Sequence, residues 1–293
     1  MIALSQSGKY FQYLEWIPSE GGPLIIRFGQ IKSPQDFSFK NGNFTSILEQ
    51  IIYESSETSP RFQLSLDNQN IFISHTHYNS SSFIEWQKYQ ISDPEFENLY
   101  DTFSFPFSNN NSLLNIHLCK ELKTSIVNSI QDVSGELRTI NIGIFSAEIG
   151  ARQWFHAHQL ESYAIWKMGK NHVDQLLIVK GGEFKSLVTF KRLKNTVKVL
   201  NLLGSSLLIE KLTLQIESWM SDGIDEFIHM EKVFVYSSEL NAKDLKKLVE
   251  SDISNVTLLN PFEVLDISSE EKINPLKGAT FAEMGVGFRG IDV

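Results

Sequence analysis

Short stretches in which apolar residues alternate or run together, broken by turn residues, dominate the first third of the chain. Met1–Ser5 is an apolar run, Tyr10–Ile17 alternates, and Leu24–Ile31 follows the turn cluster Ser19-Glu20-Gly21-Gly22-Pro23. Three strands are predicted there, with a turn over Ser5–Lys9. Ile47, Leu48, Ile51 and Ile52 recur at helical spacing and predict a helix over about Phe44–Glu54. Two more strands are expected at Arg61–Leu66 and Asn70–His75, joined through Asp67-Asn68. Leu113–Leu118 then reads as a buried strand, Lys120–Val133 as a helix, Thr139–Ile144 as a strand and Ala147–His156 as a helix.

The second half repeats that plan. Ser162–Met168 is a predicted strand ending in the turn Lys167–Asn171, and Gln175–Lys180 and Phe184–Arg192 form a hairpin across Gly181-Gly182. A long helix is predicted over about Asn195–Ser221, with Leu208, Leu212, Ile216 and Trp219 on one face. Val233–Tyr236 reads as a strand, Asn241–Glu250 as a helix capped by Asn241, and Asn255–Leu259 as a strand. Three strands, a helix, then strand, helix and strand, occurring twice, is an internal duplication of an α/β unit. Between the two halves of the first unit, residues 78–111 mix Phe83, Trp86, Tyr89, Phe96, Tyr100, Phe103, Phe105 and Phe107 with serine and asparagine runs. Such a stretch is either the small core of an inserted subdomain or the wall of a groove for a partner peptide.

Composition narrows the function classes. At 42% apolar and 12% aromatic residues the chain of 293 can pack two lobes. A net charge of −9 excludes a general nucleic-acid binder, which needs clustered Lys and Arg to meet phosphate. The single cysteine, Cys119, excludes an intrachain disulfide and a cysteine-rich zinc site. The start of the chain reads as no signal peptide, and no run approaches the roughly 20 apolar residues of a membrane span. A soluble, cytoplasmic chain is expected.

The end of the chain carries the most specific motif. Asn260-Pro261-Phe262 is followed by Phe281-Ala282-Glu283-Met284-Gly285-Val286-Gly287-Phe288-Arg289-Gly290. This pair resembles the close of the PilM family, actin-like proteins of type IV pilus assembly, where an "NPF" loop precedes a small-residue helix reading "A-x-G-L-A-L-R-G". The resemblance implies an α/β, two-lobed, actin-like (duplicated ribonuclease-H-like) fold with a subdomain inserted in the first lobe. It places the first lobe at 1–158 with an insertion at about 78–111, the second at 159–274, and a C-terminal helix at 275–293, about Gly278–Gly290, returning to the first.

The same resemblance aligns three nucleotide-contacting turns. Ile2–Lys9 sits where the family has a first phosphate loop, Ala164–Gly169 where it has a second, and Val233–Leu240 where a Gly-Gly turn meets adenosine. Nucleotide-binding members close the first two strands with an aspartate that holds hydrated magnesium. Here those positions fall at Ser5 and Lys167, and Ser237-Ser238 replace the Gly-Gly; Gly8, Lys9 and Gly169 remain. The expectation is a pseudo-enzyme needing no cofactor. By the same resemblance, the chain holds the tail of a PilN-like single-pass inner-membrane protein and associates with the membrane only through it. Contact with the assembly ATPase and a homodimer stay open. The alternative is an ATP-binding protein, ATPase or kinase of this fold with a rearranged site, in which Glu148, Glu161, Asp174 or another acid enters the cleft with ATP and magnesium. A third reading, a division protein in the manner of FtsA, would call for an amphipathic membrane-targeting tail, and the final Ile291-Asp292-Val293 does not read as one.

Other constellations have plainer readings. His75-Thr76-His77 and His156-Ala157-His158 carry two histidines each but lack a series of further ligands, so they read as element-end histidines. Cys119 with His117 reads as a structural thiol. Gly181-Gly182 reads as a turn, since no helix follows it.

Overall fold

The computed structural model describes residues 1–7, 9–40, 42–53, 55, 59–67, 70–77, 94–107, 112–238, 243–268 and 273–288. Two six-stranded sheets form its frame. The first contains β1 (Ile2–Ser7), β2 (Tyr10–Ser19), β3 (Gly22–Lys32), β4 (Arg61–Leu66), β8 (Glu136–Ile142) and β15 (Asp266–Ile267), in the order β15-β3-β2-β1-β4-β8. The second contains β9 (Ser162–Met168), β10 (Val173–Lys180), β11 (Glu183–Arg192), β12 (Val197–Gly204), β13 (Lys232–Ser237) and β14 (Val256–Leu258), in the order β12-β11-β10-β9-β13-β14. An antiparallel meander supplies three strands of the first sheet and four of the second, and in each a parallel pair extends the other side of the meander's first strand. The duplication read from the sequence is thus a duplication of sheet topology.

Alternation along the strands decides where the core lies. On β1, Ile2 and Leu4 face a core shared with α1 (Asn43–Ile52) and α3 (Lys120–Asp132), through Ile47, Leu48, Ile51, Ile126 and Ile130. Ala3, on the opposite face, belongs to a second core with α4 (Gly143–Phe155) and the whole second sheet. Strand β9 is buried at every position, as a central strand covered on both faces must be. Helix α5 (Ser206–Ser221) lays Ile209, Leu212, Ile216 and Trp219 against that sheet, and Trp219 meets Trp166 edge to face at 5.8 Å.

Three elements differ from the sequence reading. The long helix expected over Asn195–Ser221 is a strand, β12, followed by α5. The chain breaks at Gly204, whose φ of +90° favours glycine, and at Ser205, the residue before the helix. Val197–Gly204 gains more by pairing with β11 at the sheet edge than by extending a helix whose face would point to solvent. Second, β5 (Ile71–His77) and β7 (Ser112–Cys119) do not join the first sheet. They pair with β6 (Tyr100–Pro106), which follows α2 (Pro94–Leu99), in a separate three-stranded sheet of order β5-β7-β6. The inserted unit therefore draws in the strands on either side of residues 78–111. Third, the closing segment Ala279–Phe288 winds as a 3₁₀ helix after the short α7 (Pro275–Gly278). It is buried along its whole length and approaches α4 closely. A Cβ on Gly285 would stand 2.2 Å from the Ser146 carbonyl oxygen and 2.3 Å from the Gly150 amide nitrogen. Asn241, the expected cap of α6 (Lys243–Glu250), lies outside the described residues.

Candidate functional site

Strands β1 and β9 occupy equivalent central places in the two sheets, and their C-terminal ends converge on one side chain, Glu283. Ser5 Oγ donates to Glu283 Oε2 at 2.8 Å. Lys167 Nζ donates to Oε1 at 2.6 Å, and the Tyr236 hydroxyl, at the end of β13, donates to the same oxygen at 3.0 Å. Glu283 is 1% exposed. The first turn of α4 abuts it as well: a Cβ on Gly143 would stand 2.5 Å from Oε1, so a larger residue there would displace the carboxylate. That places the positive end of a helix of 13 residues beside the carboxylate.

The electrostatics follow from burial. Burial alone would lower the Lys167 ammonium. The charges of Glu283 and Asp67 and the Glu283 hydrogen bond outweigh it and hold Lys167 above its ordinary value. Burial, chiefly, and then the Glu283 charge push the Tyr236 hydroxyl well above its ordinary value. A cation and a hydroxyl are thereby fixed in their protonated, donating forms around one acceptor.

The other aligned positions have internal partners or lie elsewhere. The Gly169 amide, in the turn after β9, donates to Asp174 Oδ1 at 3.1 Å. That turn is tight, since a Cβ on Gly169 would stand 2.0 Å from the Val173 carbonyl oxygen. Asp174 is fully buried and also accepts from Trp166 Nε1 at 2.8 Å and Arg192 Nε at 2.7 Å. Ser237 is buried at the end of β13, in register with Met168, and Ser238 follows it. Lys9 is exposed and lines a separate hollow of about 550 Å³ with Gln6, Ser33, Phe37 and Asn70. Gly8 lies outside the described residues.

Of the acids considered from sequence, none is the one between β1 and β9. Glu148 is buried on α4 under the Tyr163 hydroxyl, which donates to it at 2.6 Å, and burial raises its carboxyl above the ordinary range. Glu161 is exposed at the start of the second unit. Asp174 holds the Gly169 turn. Sequence reasoning passed over Glu283, although a single charge inside an otherwise small and apolar run is a signal that it has a buried partner. A magnesium nucleotide does not fit this set. The Glu283 carboxylate is committed to Lys167, whose ammonium would repel a metal ion. Among the described residues no group of three His, Cys, Asp or Glu side chains is gathered to hold a metal ion.

A second feature is a groove beside the inserted sheet. Strand β8 is an edge strand, and among the described residues nothing pairs with its outer side. A cleft of about 680 Å³ runs along it, walled by Leu137, Ile140 and Ile142 of β8, Ile116 of β7, and Phe103 and Phe105 of β6. Phe103 and Phe105 are 47% and 39% exposed. The cleft shares Phe105, Ile116 and Asn141 with a neighbouring hollow of about 310 Å³, which reaches Phe145, Glu148 and Arg152 of α4 and Phe184 of the second sheet.

No family description and no curated protein matches this sequence. Its structure is similar to a chain of the PilM–PilN type IV pilus biogenesis complex, with a TM-score of 0.64 at 12% identity, covering 100% of this chain and 98% of that one. The fold is actin-like. Weaker likenesses include a protein of actin-like ATPase fold from Bacteroides thetaiotaomicron, with a TM-score of 0.45 at 10% identity over 97% of this chain and 94% of that one. Another is the cytoplasmic domain of EpsL, an inner membrane component of the type II secretion system of Vibrio cholerae, with a TM-score of 0.44 at 8% identity over 96% and 93%. In this two-lobed actin-like fold, Ser5 and Lys167 end the equivalent first strands of the two lobes, and Glu283 joins them. Among the described residues no helix is long and apolar enough to cross a membrane.

Proposed function

We propose that this chain is a non-catalytic actin-like scaffold of a type IV pilus or type II secretion-like assembly. It works at the cytoplasmic face of the inner membrane, where it holds the cytoplasmic tail of a single-pass membrane partner of the PilN kind. The observation that carries this reading is the groove along β8. An unpaired strand edge supplies backbone donors and acceptors to an extended peptide, and the aromatic wall from β6 supplies pockets for alternate side chains. The likeness in fold to a chain of the PilM–PilN complex supports the choice of partner class. Glu283 supports the non-catalytic part, because this buried carboxylate is bonded to Lys167 and is not left open to metal or water.

Titration calorimetry tests it, with a synthetic peptide of the cytoplasmic tail of a PilN-like single-pass membrane protein from the same organism. The wild type binds, and a Phe103→Ala/Phe105→Ala variant loses at least about tenfold in affinity, since buried aromatic anchors dominate such interfaces. Both residues are partly exposed and lie outside the two buried cores, so their truncation leaves those cores intact. Equal binding by the two proteins would refute the groove as the docking site.

A further inference from the structure

We infer that Glu283 is a resident substitute for the phosphates of a nucleotide, one that clamps the two lobes in a single arrangement without any bound ligand. This goes beyond the partner reading above and does not depend on it.

Three donors meet the carboxylate, and they come from both lobes: Ser5 from β1, and Lys167 and Tyr236 from β9 and β13. The carboxylate itself belongs to neither sheet. It is carried by the closing segment, which packs along α4 and across the end of β1, where a Cβ on Gly287 would stand 2.7 Å from the Ala3 Cβ. A bound phosphate in such a cleft accepts from backbone and side-chain donors of two opposed hairpins and so holds the lobes closed. Glu283 makes the same kind of connection from within the chain. Lys167 then has a reason to be a lysine: a cation there is the complement of an internal anion. The Gly169 amide, the other donor facing that turn, is taken by Asp174, so both lines of anion recognition end on the protein's own carboxylates.

The segment is anchored well enough to serve as the ligand. Phe288 stacks on Trp16 at 5.3 Å and meets Trp154 edge to face at 5.6 Å, while Phe281 packs on Phe262 at 5.2 Å. Glu283 lies between these two aromatic anchors, so its position is set by packing on either side.

Two measurements test the inference on the full chain. Thermal unfolding is followed for the wild type, Glu283→Gln and Glu283→Ala, each alone, with ATP and magnesium, and with sodium acetate against sodium chloride. The wild type keeps its melting temperature in ATP and magnesium. Glu283→Ala melts lower by roughly 10 °C, the loss expected when a buried ion pair is broken. Acetate, but not chloride, restores part of the loss by re-entering the vacated anion site. Spin labels at the exposed positions 49 and 198, in a Cys119→Ser background, report the separation of the lobes. That distribution is narrow in the wild type, unchanged by ATP, and broader in both variants. Should Glu283→Ala not fold, Glu283→Gln and the wild-type distribution decide. A wild type that melts several degrees higher in ATP and magnesium, or whose lobe separation shifts with them, overturns the inference. So does a Glu283→Gln variant whose distribution equals that of the wild type.

Discussion

Replacing Lys167 by methionine isolates the charge at the centre of the molecule. Methionine keeps the length of the stem and deletes the ammonium that donates to Glu283 at 2.6 Å. The side chains of this pair are only 10% and 2% exposed, so solvent cannot take over. Breaking a buried pair by removing one partner costs about 3–5 kcal/mol. Here Glu283 retains the Ser5 and Tyr236 hydroxyls and the start of α4, which places the loss near the lower limit, about 3 kcal/mol at pH 8.

The loss depends on pH, and its sign follows from linkage. Lys167 is held above its ordinary value in the fold, so its contribution is fully present below its unfolded value of about 10.4 and is lost as pH rises through the folded one. The Lys167→Met deficit is therefore full at pH 8 and smaller at pH 11. Urea unfolding followed by tryptophan fluorescence measures it, with Trp166 fully buried as a reporter. A Lys167→Met/Glu283→Gln double variant recovers most of the loss, because a neutral pair leaves no stranded charge. A deficit that is the same at pH 8 and pH 11, or a double variant less stable than Lys167→Met, would refute the assignment of Lys167 and Glu283 as one buried pair.

Gly285→Ala costs more than about 3 kcal/mol, since its Cβ would strike the backbone at Ser146 and Gly150, which cannot turn aside. Gly223→Ala, with a φ of +82° but open space around it, costs only about 1 kcal/mol, and paired thermal melts distinguish the two. In the inserted sheet, His117 is held between Ser74 Oγ at 2.9 Å and Thr102 Oγ1 at 2.8 Å, and burial lowers its pKa. A histidine depressed in the fold contributes stability present above its unfolded value of about 6.5 and lost as pH falls through the folded one. Amide exchange corrected for intrinsic rate should therefore accelerate in β5, β6 and β7 between pH 7 and pH 5, and in the second sheet it should not. A uniform response across both sheets would count against it.

Much of the frame was legible because strands announce themselves locally. The alternation in Tyr10–Ile17, the apolar run of Ser162–Met168 and the Gly181-Gly182 turn, with φ of +59° and +73°, are decided by residues close in sequence. Val197–Gly204 was misread because a run of Val and Leu fits a helix face as well as a strand. The decision lay in β11, its antiparallel neighbour, and in the positive φ at Gly204. That strands β5 and β7 pair in a sheet of their own was not legible, since pairing partners are not written in a strand's own pattern. Of the aligned site positions, Ser5 and Lys167 do meet at one point, as the duplicated topology requires. Glu283 was hidden for a different reason: its partners Ser5, Lys167 and Tyr236 lie 278, 116 and 47 positions away. A lone acid in an apolar run says that a partner exists, but only the closed fold says which.

The groove reaches across to the second lobe, the one that Glu283 ties to the first. The groove along β8 continues into a hollow whose far wall is Phe184, on the second sheet, meeting Phe145 of α4 edge to face at 5.3 Å. Its shape therefore depends on how the lobes sit. A soluble nucleotide would make that arrangement a function of its concentration and affinity. A carboxylate fixed in the same chain converts the clamp into an intramolecular contact, whose effective concentration no cellular nucleotide pool can change. A docking surface meant to hold a partner steadily gains from that conversion, while a machine that cycles between open and closed forms would lose by it. The pairing of a filled cleft with an open groove is what the proposed scaffold would call for.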